Sequence, residues 1–273
     1  GGFFVCVFIG MKKVLGICGD SFMASDLPNK ERSAYGKHFS EILGKMLNCD
    51  VVTYARSGCS NFTIRLQMDE IIKHNPHHVI IGTTTPDRFE VPINDITVSH
   101  PWDKWSNSTF KPSNGLYNVH YSSFENQSVN HRGFSKITPT IYSQSLTGAV
   151  GSSDENMWIT PKDTLSKEMT QTIRDYFQYM YDMQLKLFQD TLIISEGIYK
   201  FISMNIDFSL ITPQIDGNYF SHCKDNIIEN GHILNPWTHY ELDKTSKNSF
   251  HVSDQRSVIL AELWYEKLKD KFI

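Results

Sequence analysis

Gly19-Asp20-Ser21 follows directly on the apolar run Val14–Cys18. A serine at the end of a buried strand presents its hydroxyl at the mouth of an α/β sheet, where ligands bind. A histidine that takes its proton makes it a nucleophile. Asn248-Ser249-Phe250-His251, just ahead of the C-terminal helical stretch, offers such a histidine. The plainer reading is a Ser21 that caps the next turn and a His251 that, as one of eleven histidines, is structural. Two more blocks belong with these. In Ala55-Arg56-Ser57-Gly58-Cys59-Ser60-Asn61, Gly58 offers an N–H that no side chain obstructs, while Ser60 or Asn61 also suits a helix cap. Gly82-Thr83-Thr84-Thr85 closes a further apolar run.

Other groupings fit chemistry less well. His74, His77 and His78 have no Cys or carboxylate at ligand spacing, so no metal site is expected. Gly16-x-x-Gly19 lacks the dinucleotide G-x-G-x-x-G pattern and a P-loop lysine, so no cofactor is expected. Trp102, Trp105, Tyr117, Tyr121, Phe124 and Trp158 could stack on sugar rings or form a small core of their own.

The elements that must position these residues come from periodicity. Val14–Cys18, Asp50–Tyr54 and His78–Ile81 read as strands, and Asp207–Thr212 as a fourth. Residues Glu31 to Leu47, with Tyr35, Phe39, Ile42, Leu43 and Met46 in step, read as a helix. Asn61–Lys73 reads as another, through Ile64, Met68, Ile71 and Ile72. Thr164 to Asn205 is helical through Leu165, Met169, Ile173, Phe177 and Met180, then Leu187, Ile194, Ile198 and Ile202, with a break or bend at Gly197. Val252–Phe272 closes the chain as a helix with Val258, Leu260, Leu263, Trp264 and Leu268 on its apolar side. Strand and helix alternating over the first 82 residues predict a right-handed parallel α/β sheet. From Pro86 to about Lys162 the periodicity fails, as in a functional loop or cap.

The chain has 273 residues, 40% hydrophobic and 21% charged, which suits one globular α/β domain. A net charge of -4 with scattered Lys and Arg gives no footprint for nucleic acid. Cys6, Cys18, Cys49, Cys59 and Cys223 are odd in number, as reduced, mostly buried thiols would be. No apolar run is long enough to span a bilayer, and residues 1–10 lack the basic start of a signal peptide. Met11-Lys12-Lys13-Val14 reads as a start, leaving residues 1–10 as an N-terminal extension and 11–273 as a single domain with an insertion at about 86–162. A cytoplasmic location is the default expectation.

In order and spacing these blocks resemble the SGNH hydrolases, also called GDSL-like esterases and lipases. Gly19-Asp20-Ser21 matches the first block and Gly58 the glycine of the second. Gly82-Thr83-Thr84-Thr85 aligns with the third, usually Gly-x-Asn-Asp, and Asn248-Ser249-Phe250-His251 with the last, usually Asp-x-x-His. The resemblance covers about residues 12–85 and 205–272. It implies a three-layer α/β/α, flavodoxin-like parallel sheet. It also implies a serine esterase acting on a short acyl group of a carbohydrate or small alcohol. Ser21 would be nucleophile and His251 base, with Asn248 beside His251. The oxyanion would lie against Ser21 N–H, Gly58 N–H and Thr84, and Asp20, Phe22 and Asn61 would line the substrate site. Two departures matter: Thr84 stands where the family has Asn, and Asn248 where it has Asp. In serine proteases the matching Asp→Asn exchange lowers kcat by about 10⁴. Glu241, Asp243 or Asp254 could supply the acid instead. The same departures suit a second expectation, an SGNH fold kept as a binding or structural module, associating with copies of itself or with a viral particle.

Overall fold

The computed structural model describes residues 12–20, 22–23, 38–55, 60–84, 86, 88–92, 116–120, 136–139, 168, 172, 175–176, 179–212, 226–228 and 254–272. Among the described residues five parallel strands form the main sheet: β1 (Val14–Cys18), β2 (Asp50–Thr53), β3 (His78–Gly82), β7 (Asp207–Ile211) and the two-residue β8 (Ile227–Ile228). Their order is β2-β1-β3-β7-β8, all neighbours parallel. That is the flavodoxin-like order, and the expected fold is the one observed.

Four described helices cover the two faces: α1 (Phe39–Met46), α2 (Asn61–Ile72), α3 (Met183–Ser203) and α4 (Asp254–Leu268), which runs into a 3-10 turn at Lys269–Lys271. Alternation along the strands sorts the core into two halves. Leu15, Ile17, Ile80 and Ile211 pack against Phe39 and Leu43 of α1 and Leu260, Trp264 and Leu268 of α4. Cys18, Val79, Ile81, Phe208 and Leu210 pack against Ile64, Met68 and Ile71 of α2 and Ile194, Ile198 and Phe201 of α3. The sheet therefore lies between two helical layers, its core strands apolar on both faces.

Several sequence expectations shift in detail. The helical run from Thr164 is helical at the described positions 168, 172, 175, 176 and 179, but it breaks at Tyr181–Asp182 rather than at Gly197. Asp182 is the N-cap of α3, its carboxylate accepting the Leu185 N–H at 2.7 Å. Gly197 instead lies against α2, where a Cβ would come within 2.6 Å of Met68 Cε. The glycine lets two helices approach, and α3 runs unbroken through it. Met180, Ile202 and Val258, expected on apolar buried faces, are exposed. α1 starts at Phe39 with His38 as its cap; residues 31–37 lie outside the described set.

Regular structure does occur in the 86–162 stretch, against expectation. β4 (Arg88–Pro92), β5 (Leu116–His120) and β6 (Lys136–Pro139) form an antiparallel three-stranded sheet in that order. The register pairs Phe89 with Val119, and Val119 with Ile137. Among the described residues, no helix is long and apolar enough to cross a membrane.

Candidate active site

The carboxyl end of β1 turns at Gly19, whose φ of +151° is open to glycine and closed to most side chains. A Cβ there would also lie 2.4 Å from Met23 Cγ and 3.0 Å from the Gly82 carbonyl oxygen. Gln67 reaches across from α2 and takes both main-chain groups of Gly19: the Gly19 N–H donates to Oε1 at 2.7 Å, and Nε2 donates to the Gly19 carbonyl at 3.1 Å.

Asp20 then closes the turn from inside. Its Oδ1 accepts the Phe22 N–H at 3.0 Å, and its carbonyl accepts the Met23 N–H at 3.0 Å, an Asx turn within a β-turn. Ser21 itself lies outside the described residues, but both its neighbours are fixed by this one side chain. The other carboxylate oxygen, Oδ2, accepts from Thr84 Oγ1 at 3.0 Å and from Arg88 Nη1 at 2.9 Å. Asp20 is 1% exposed, and Thr84 and Arg88 are buried with it. A carboxylate so far from water is tolerable only when paired and hydrogen-bonded, and this one is both.

His38 holds the far side of the turn. The Phe22 carbonyl can only accept, so His38 Nε2 donates to it at 3.0 Å, which leaves Nδ1 to accept from Ser40 at the start of α1.

A second amide does for β3 what Gln67 does for β1. Asn61, the first residue of α2, donates through Nδ2 to the Thr84 carbonyl at 2.9 Å and accepts the Thr84 N–H through Oδ1 at 2.9 Å. Nδ2 also donates to Asp190 Oδ2 at 2.9 Å, and Asp190 pairs with Lys186 on the same turn of α3. Two acids (Asp20, Asp190) and two bases (Arg88, Lys186) are thus buried close under the carboxyl ends of β1 and β3. The neighbouring Thr83 ties β3 to β7 through the Ile211 carbonyl, by its N–H at 2.9 Å and its hydroxyl at 3.2 Å.

These contacts engage several of the residues expected at the site. Asp20 and Asn61, read as substrate contacts, have their polar atoms turned onto protein groups, and Phe22 is buried. Thr84, read as an oxyanion donor, gives its one hydroxyl proton to Asp20. Ser21, Gly58, Asn248 and His251, with the alternative acids Glu241 and Asp243, lie outside the described residues. Asp254 is described only as the first residue of α4.

Sequence reading missed Arg88, His38, Gln67 and the Lys186–Asp190 pair. Arg88, two residues beyond Pro86 in Pro86-Asp87-Arg88, looks like an ordinary surface charge until the fold brings it to Asp20. Lys186 and Asp190 did carry a signal: opposite charges four apart on a helix, at positions the apolar period assigns to the inner face.

At the opposite end of the sheet the described residues hold a Ser–His–Asp alignment. His78 Nδ1 lies 3.0 Å from Asp207 Oδ2, and Nε2 lies 3.1 Å from Ser209 Oγ. It runs the wrong way for catalysis: Ser209 and His78 are buried, and the acid faces solvent. Burial pushes the His78 imidazole below its usual range, against the pull of Asp207. Neutral His78 then donates through Nδ1 to Asp207 and accepts the Ser209 hydroxyl proton at Nε2. The hydrogen bond from His78, with help from Lys271, holds the Asp207 carboxyl well below the usual carboxylate range.

The other two histidines of that trio are also spoken for. His77 Nδ1 accepts the Val14 N–H at 3.1 Å, and His74 Nε2 lies 2.9 Å from the Tyr54 hydroxyl. Among the described residues no group of three or more His, Cys, Asp or Glu could hold a metal ion. Cys18 and Cys49 are buried free thiols, as expected. Burial pushes both thiols up, Cys49 to about 11, so neither is a ready thiolate nucleophile.

No protein-family model matches the chain, and no curated protein sequence matches it. Solved structures to which it is similar include a G-D-S-L family protein from Desulfitobacterium hafniense DCB-2, at 12% identity and a TM-score of 0.43, over 93% of this chain and 98% of that one. The psychrotrophic esterase EstA from Pseudoalteromonas sp., inhibited by monoethylphosphonate, matches at 9% identity and a TM-score of 0.44, over 94% and 97%. An acetyl xylan esterase, AlAXEase, matches at 12% identity and a TM-score of 0.41, over 93% and 99%.

Proposed function

We propose that the chain is a serine esterase that removes a short acyl group from a carbohydrate or small alcohol. The observation that carries this reading is the clamped turn Asp20–Met23 at the carboxyl end of β1, beside β3, where the strand order places the switch point of the sheet. A residue at position 21 is bracketed by groups that Gln67, Thr84, Arg88 and His38 hold in place. Such preorganisation suits a nucleophile that must meet a carbonyl carbon within about 3–3.5 Å.

In this reading Ser21 Oγ attacks the acyl carbonyl and its proton passes to His251. Negative charge develops on the carbonyl oxygen, where the N–H groups of Ser21 and Gly58 receive it. Each such donor is worth about 3–4 kcal/mol in acyl transfer. Collapse expels the alcohol, which takes the proton from His251. Water then attacks the acyl-serine, giving its proton to His251, and releases the acid as Ser21 recovers its proton. Asn248 orients the imidazole but brings no charge to it. Thr84 leaves the oxyanion set and keeps Asp20 in place, unless its hydroxyl turns away when substrate binds. In the same reading a single domain spans 11–273, and its insertion at about 86–162 shapes the acyl-alcohol pocket.

Hydrolysis of p-nitrophenyl acetate tests the reading. Wild-type turnover should exceed that of Ser21→Ala and of His251→Ala by at least about 10³, the scale on which removing a nucleophile or base acts. Equal rates in all three proteins would favour the second reading, a binding or structural module. The occupied Thr84 hydroxyl is the observation on that side.

A further inference from the structure

Nine of the eleven large hydrophobic side chains that are exposed among the described residues fall between Tyr179 and Met204, on α3 and its lead-in. Concentration on one element marks an interaction surface rather than ordinary scatter. Five of them, with the buried Ser195 as a recess between Leu192 and Tyr199, lie along a single stripe: Leu185, Phe188, Leu192, Ser195, Tyr199, Ile202. The large five are each 51–55% exposed, while the opposite face of α3 is buried on the sheet and α2.

The spacing of the stripe is 3-4-3-4-3, the repeat of a helix seam that receives another helix. The pattern is also the same from either end. A twofold axis between residues 193 and 194 sets Leu185 against Ile202 of a second copy, Phe188 against Tyr199, and Leu192 against the small Ser195. Aliphatic meets aliphatic, aromatic meets aromatic, and large meets small. Glu196 and Lys200 line the same hollow as Leu192, Ser195 and Tyr199, and pair with each other at 3.3 Å. Half-exposed side chains of this size each offer about 100 Å². Met183 and Met204 lie off this stripe, so each copy presents roughly 500 Å² and the pair about 1,000 Å² in all, the threshold for a specific interface.

We infer that α3 pairs with α3 of a second copy of this chain, antiparallel, as an isologous dimer. The pairing spans about 25 Å of helix. It does not depend on the esterase reading.

Sedimentation velocity on the 273-residue chain at tens of micromolar tests it. The wild type should run as a dimer, and Phe188→Glu and Tyr199→Lys should each run as monomers with unchanged circular dichroism. Mixing the two variants should restore a dimer, because the antiparallel pairing brings position 188 of one copy to position 199 of the other. Leu185→Glu with Ile202→Lys repeats the test should the first pair fold poorly. A monomeric wild type, dimers that survive both substitutions, or a mixture that stays monomeric would overturn the inference.

Discussion

Arg88 gives the Asp20 carboxylate its only countercharge among the described contacts, in a place with almost no water. Arg88→Met should therefore destabilise the fold by about 3–5 kcal/mol, the scale for breaking one partner out of a buried ion pair, read as a shift in the urea midpoint. A shift under 1 kcal/mol would mean that Thr84 and the Phe22 N–H suffice to hold the turn. On the His251 side, the proposed site lacks an acid. Asn248→Asp should raise kcat on p-nitrophenyl acetate by about tenfold or more, since a carboxylate at that spacing stabilises the imidazolium formed as Ser21 attacks. An unchanged or lower rate would point to Glu241, Asp243 or Asp254 as the acid already in place. At this scale the sequence nominates Ser21, Gly58 and His251 by motif order, all of them outside the described residues. It hides Arg88 and His38, because the burial of a charged or polar side chain is decided by a partner distant in sequence.

Strands β1, β2, β3 and β7 and helices α2 and α4 are readable from period alone, with ends off by a few residues, whereas the two-residue β8 is not, and α3 reads as part of a longer helix from Thr164. Val14–Cys18 and His78–Gly82 are apolar on both faces because helices cover both, and such runs stand out. Strands β4 to β6 did not, since four or five residues of mixed polarity between turn-rich stretches carry too little periodicity. Gly197 misled for a different reason. Glycine suggests a helix break by propensity, while here it answers the nearness of Met68 and Arg65 from α2. Gly197→Leu should cost about 1–3 kcal/mol by overpacking. Gly197→Ala should lie within about 1 kcal/mol of wild type, because the gain in helix propensity offsets a shift of the flexible Met68 end. Thermal unfolding of the two variants distinguishes this from a hinge, where both would be tolerated alike.

Across the molecule, the two ends of the sheet carry different burdens. The amino ends of β3 and β7 hold the His78–Asp207–Lys271 cluster, which joins the C-terminal turn to the sheet. His78 is depressed in the folded state, so the unfolded chain takes up its proton first as pH falls. Stability is then lost from about pH 6.5 downward. Asp207 is depressed too, and its contribution, present above about pH 4, is lost as pH falls further. The urea midpoint should therefore drop between pH 7 and pH 5, and the drop should shrink in His78→Asn. Equal slopes for both proteins would show that His78 does not govern the response.

The carboxyl ends of β1 and β3 carry the proposed chemistry, and fluorophosphonate labelling with mass-spectrometric mapping tests that claim most directly. The account predicts one modified residue, Ser21, with labelling abolished in Ser21→Ala and strongly slowed in His251→Ala. Ser209 should stay unmodified despite its bond to His78. A folded protein that takes no label, or takes it at any serine other than Ser21, would contradict the account.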